Sequence, residues 1–160
     1  MRKFALVVCI LAGSVSCSKD SENSPTISLV GEWVATQPVD DSNLSQLHQY
    51  QFNADETLVI STVIENSMTA QTVGFRYRAI GTYEVQKNVL NIDLSEIYFN
   101  DDSLENYSNI DDLELSNETR METITFTLDD KTDLLTLYYP DCSINANCID
   151  SLTLEKTEVD

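Results

Sequence analysis

From Leu29 to Lys156 the chain is dominated by one-by-one alternation of apolar and polar residues, and Gly and Pro are sparse. A strand sends successive side chains to opposite faces, so this pattern describes half-buried strands. Thr, Val, Ile and Tyr enrichment supports the same assignment. Strands are predicted at Leu29 to Val34, Leu47 to Phe52, Thr57 to Ile64, Val73 to Gln86, Val89 to Phe99, Met121 to Leu128, Leu134 to Tyr139 and Ser151 to Lys156. Asn53 to Glu56, Lys87-Asn88 and Asp129 to Asp133 are the chain reversals between them. Gly81, inside a long strand, marks a bulge or kink of the kind that lets a sheet curve. The fold class is therefore all-β and antiparallel, with about eight strands in sequential hairpins. Such a meander hides its edges by closing into a barrel or folding into a sandwich.

At 160 residues the chain has length for one domain with a real core. Its formal net charge is -18, with 27 acids against 9 basic residues. A surface of that sign repels nucleic acid and anionic lipid head groups.

The N-terminus has the layout of a secretory signal. Arg2 and Lys3 precede an apolar run from Phe4 to Gly13, and small residues follow at Ser14 to Ser16. The run is too short to span a bilayer, which takes about 20 residues. Loss of Arg2 and Lys3 with this segment takes the basic count from 9 to 7 against 27 acids, a charge of -20. The segment ends at Cys17, where it resembles a bacterial lipoprotein signal: Val15 and Ser16 suit the two positions before the cysteine, while Ser14 stands where Leu is usual. The resemblance implies that Cys17 is acylated, becomes the mature N-terminus and holds the protein to the membrane. Ser18-Lys19-Asp20-Ser21-Glu22 resembles the surface-export cluster of Bacteroidetes-type lipoproteins, which implies the outer face of the outer membrane. Residues 1–16 then form the signal peptide, 17–27 the lipidated tether and 28–157 the folded domain.

Of the four cysteines, Cys9 leaves with the signal and Cys17 carries lipid. Cys142 and Cys148 remain. An exported protein meets an oxidising compartment, so these two are expected to pair as a disulfide. Zinc would need more Cys or His partners than the single His48 supplies.

Within the strands the chain resembles the lipocalin-like lipoproteins. Gly31-x-Trp33 opens the first strand like the lipocalin Gly-x-Trp signature. Tyr50 to Leu58 resembles the hairpin that follows, with Glu56 where that family commonly has Gly. Gly81-Thr82-Tyr83-Glu84-Val85 and Leu90-Asn91-Ile92 resemble the central hairpin. The resemblance implies an up-and-down barrel of about eight strands, with Trp33 plugging its closed end, and brings no catalytic residue with it.

Residues that could carry chemistry are few. There is no Gly-x-Ser-x-Gly, no Gly-rich phosphate loop and no His-Glu-x-x-His, and no motif for a cofactor or metal. His48 shares a strand face with Tyr50 and Phe52 and reads as a packed or half-exposed histidine rather than a general base. Arg76 and Arg78 are placed on one strand face and Phe75 and Tyr77 on the other. An inward arginine pair could grip a carboxylate or phosphate; an outward pair would leave the aromatics in the core. The acidic stretch from Asn100 to Glu118 is a long insertion. Its Asp101, Asp102, Glu105, Asp111 and Asp112 could offer oxygens to calcium, without EF-hand spacing. Asp102-Ser103-Leu104 and Asp150-Ser151-Leu152 resemble an O-glycosylation site of Bacteroidetes. Non-catalytic readings follow. In one the barrel holds a small, partly apolar ligand, with Trp33, Arg76 and Arg78 as candidate contacts. In the other it is solid and docks an envelope protein through its acidic loop. Neither involves nucleic acid.

Overall fold

The computed structural model describes residues 27–39, 42–100, 107–140 and 149–157. The signal segment, most of the tether, Cys17, Cys142, Cys148, Asp101, Asp102 and Glu105 lie outside these residues. Among the described residues nine strands follow one another: β1 Gly31–Pro38, β2 Leu44–Phe52, β3 Thr57–Asn66, β4 Gln71–Gln86, β5 Val89–Phe99, β6 Glu114–Leu115, β7 Arg120–Asp129, β8 Leu134–Tyr138 and β9 Ser151–Thr157. All pairings are antiparallel. Each long strand pairs with its neighbour in sequence, β5 with β7. Pairing of Glu32–Val34 with Glu155–Thr157 joins β1 to β9 and closes the ring. The result is a closed eight-stranded up-and-down barrel, the architecture expected from the sequence. Closure removes the free edges that an open meander of this length would carry. The short β6 is an addition the alternation did not reveal; it lies inside the acidic insertion and pairs with Tyr98 and Phe99.

The inward positions follow from the registers. Trp33 faces Tyr50, Phe52 faces Leu58, Leu90 faces Ile124 and Leu135 faces Leu154. Trp33, Phe52, Leu58, Leu90, Ile92, Phe126, Leu135, Leu137 and Leu154 are all buried. They fill the end of the barrel at which the chain comes into β1. Hairpins at Asn53–Glu56, Lys87–Asn88 and Asp129–Asp133 close that end. Trp33 sits there, as the lipocalin resemblance implies. Its indole N–H donates to the carbonyl of Leu29 (2.7 Å), and the Lys156 ammonium lies 5.3 Å from its ring centroid. The outward positions of β7 to β9 run Thr123, Thr125, Thr127, Thr136, Thr153 and Glu155. A membrane-spanning barrel reverses this polarity, with an apolar band outside. Among the described residues no helix is long and apolar enough to cross a membrane.

Two irregularities in β4 shape what lies above this core. Gly81 adjoins a break in the β4–β5 register, as its place in the sequence foretold. A Cβ there would lie 2.0 Å from the carbonyl oxygen of Asp93, so only glycine permits this approach. The second irregularity corrects the sequence reading. Tyr77 pairs with Thr62 and Phe75 with Val63, which leaves Arg76 as an extra residue in a bulge. Phe75 and Tyr77 therefore occupy opposite faces rather than one. Tyr77 is inward with Ala79, while Phe75 is outward, where Ser108 bridges to it. Arg76 and Arg78 are likewise separated. Arg78 stays on the outer wall beside Tyr98, and the Arg76 guanidinium turns to inward Gln46.

Candidate functional site

Above the packed core the inward positions change character. On β2 the inner face runs Phe52, Tyr50, His48, Gln46 from the closed end to the open one. On β7 it runs Phe126, Ile124, Glu122, Arg120, because Ile92 faces Glu122 and Leu94 faces Arg120. The strand period that drives leucine and phenylalanine into the core thus drives polar and charged side chains into the mouth. Tyr139, just past β8, is tied down by its N–H donating to the Asp150 carbonyl (3.1 Å). Its hydroxyl meets that of Tyr50 at 2.8 Å across the barrel.

These residues border a cleft of about 560 Å3 at the barrel mouth. Its walls are His48 and Tyr50 from β2, Arg120 to Thr123 from β7, Tyr139 and Pro140, and Ile149 with Leu152 at the start of β9. Four separate stretches of chain converge there.

Electrostatics in the cleft follow from partial burial. Burial pushes the Tyr50 hydroxyl well above its ordinary value, and Tyr139 and the Glu122 carboxylate add to the effect. Burial also raises Tyr139, opposed by its bond to Tyr50 and by the nearby Arg120 charge. His48 is lowered by burial, which disfavours its charged form. Glu122 pairs with Arg120, whose side chain is 65% exposed against 21% for the side chain of Glu122. Arg76 Nη1 donates to Gln46 Oε1 (2.6 Å), and Gln46 Nε2 lies 2.9 Å from His48 Nε2. Arg76 Nε is buried without a hydrogen-bond partner among the described residues.

No family model, curated protein or solved structure matches this chain. Its site must therefore be read from its own geometry.

The three residues proposed from sequence do not come together. Arg76 approaches the mouth through Gln46, Arg78 lies on the outer wall, and Trp33 lies at the closed end. Arg78 borders a smaller outer hollow of about 350 Å3 with Ile80, Tyr98, Ile110, Asp111 and Leu113. There the second half of the acidic insertion lies against the wall. Tyr107 covers Gly74, Leu113 is buried, and Ile110–Asp112 forms a single 3-10 turn. Among the described residues no group of three His, Cys, Asp or Glu side chains could hold a metal ion.

Sequence reasoning missed Arg120 and Glu122. A usable sign was present: both are in phase with Ile124 and Phe126, so alternation alone puts two charged residues on the core face.

Proposed function

We propose that this chain is an exported, lipid-anchored envelope protein of the lipocalin-like lipoprotein type, held at the outer membrane by Cys17. Its barrel binds a small, partly apolar ligand in the open mouth. The observation that supports this reading most directly is the cleft of about 560 Å3 standing on a solid apolar floor. Ligand sites of small molecules span roughly 300–1,000 Å3 and combine apolar walls with a few placed polar groups. Tyr50, Tyr139, Pro140, Ile149 and Leu152 supply the first, and His48, Arg120 and Glu122 the second. Beneath the cleft the barrel holds packed side chains, so the ligand sits at the mouth rather than deep inside.

The geometry also suits the anchor. The chain comes into β1 at the closed end, so the point where the tether joins the domain lies opposite the mouth.

Native mass spectrometry of the soluble domain from Ser21 onward, purified gently from the cells that make it, tests the proposal. A reproducible extra mass lost on denaturation identifies a carried ligand. A bare mass at every preparation counts against a carrier and favours docking to an envelope protein through the acidic insertion. Deletion of residues 100–118 would then abolish capture of that partner.

A further inference from the structure

We infer that the cleft recognises a carboxylate on an apolar body, gripped by Arg120, by the free hydroxyl of the Tyr50–Tyr139 pair and by His48. This rests on the cleft being a ligand site and goes further by naming the ligand's chemistry.

Arg120 carries five N–H donors, and its paired atom is Nε, bound to Glu122. Its two terminal nitrogens have no protein acceptor among the described residues, and they form the fork that fits a carboxylate in two parallel bonds. Tyr50 and Tyr139 hold one proton each and their mutual bond uses one, so one O–H is left to donate. Gln46 turns its amide nitrogen toward His48 because Arg76 holds the amide oxygen. His48 Nε2 must then accept, which leaves the proton on Nδ1, again without a protein acceptor among the described residues. Three wall residues, from β2, from β7 and from beyond β8, thus offer unmet donors. On the acceptor side stands the second oxygen of Glu122, beside the Arg120 charge.

The charged side chains lining the cleft are Arg120 and Glu122, paired with each other, and Arg76 is turned toward it through Gln46. An amine there would find one oxygen and meet a guanidinium. A carboxylate would find three donors. The floor and rim, Leu152, Ile149, Pro140 and the Tyr50 ring, take the apolar body.

The test compares decanoate, decanol and decylamine, which share an apolar chain and differ in the head. Binding is measured by titration calorimetry on the full chain carrying Cys17→Ser, which keeps acyl chains of its own out of the measurement. Decanoate is expected to bind about tenfold tighter than the other two, the scale of one charge-assisted hydrogen-bond pair. Arg120→Leu should weaken decanoate about tenfold and close its gap to decanol. Arg120 is mostly exposed, so this variant keeps the fold. Decanol binding as well as decanoate, decylamine binding tightest, or Arg120→Leu weakening all three alike would each overturn the carboxylate inference and leave the ligand site standing. Absence of binding by all three would overturn both.

Discussion

Gln46 Nε2 lies 2.9 Å from His48 Nε2, two residues along the inner face of β2, and Arg76 decides which way that contact runs. The guanidinium can only donate, so the amide oxygen points at Arg76 and the NH2 group at the histidine. A protonated His48 would set an N–H against that NH2 group. Burial acts in the same direction and lowers His48 below its ordinary value.

The pH dependence of stability follows. The unfolded chain takes up a proton on His48 near pH 6.5, before the folded chain does. The folded state therefore loses stability as pH falls below 6.5, and the loss levels off once pH is under the folded value. Replacing His48 with Gln should remove that acid-side component, read as a smaller drop in melting temperature between pH 7 and pH 5 than in the parent. Nitrogen-15 NMR should show the neutral ring protonated on Nδ1. Arg76→Met should move the His48 titration upward, because the freed amide can then turn its oxygen to the ring.

Glu56 closes the β2–β3 hairpin with φ 66°, in the left-handed region where a Cβ is disfavoured. Glycine takes up that region without a steric penalty. Glu56→Gly should relieve that strain, offset in part by a more flexible unfolded chain. The expected gain is about 0.5–1 kcal/mol, seen as a higher urea midpoint at unchanged slope.

Gly81 leaves no room for a side chain, with Asp93 backbone 2.0 Å from a built Cβ. Gly81→Ala should cost roughly 3 kcal/mol, since the backbone of β5 must move to admit it. Chemical denaturation measures this directly. A change below about 0.5 kcal/mol would mean the two strands do not approach as described.

The Tyr50–Tyr139 contact spans the barrel and joins β2 to the end of β8. Tyr50→Phe and Tyr139→Phe, alone and together, form a double-mutant cycle whose coupling should be about 1 kcal/mol. In alkaline titration followed at the tyrosinate absorbance, Tyr50 should ionise well after the exposed tyrosines, because burial is the first cause of its rise.

Much of the barrel was legible because strand periodicity is local. Thr123 to Leu128 or Leu134 to Tyr138 need only their own residues to show which side is wet. Eight such runs leave two ways to hide an edge, a barrel or a sandwich, and the lipocalin resemblance pointed to the barrel. His48 shares one face of β2 with Tyr50 and Phe52, as alternation had it, and Gly81 adjoins a register break. The strand β6 was not legible, since two residues, Glu114 and Leu115, are too short to carry a period.

The site was legible only in fragments. Alternation puts Arg120, Glu122, Gln46 and His48 on inward faces, but it cannot say that β2 and β7 confront each other across a mouth, nor that Tyr139 reaches Tyr50. Those meetings depend on ring closure and stagger, which join residues as far apart as 50 and 139. The bulge at Arg76 is the sharpest case. By itself the sequence determined a strand with two arginines two apart, and strict alternation puts them on one face. The tertiary structure decided otherwise, because pairing with β3 admits one extra residue and turns Arg76 toward Gln46 while Arg78 stays outside. A period of two is a property of one strand; where that period is broken is settled by the partner strand it must match.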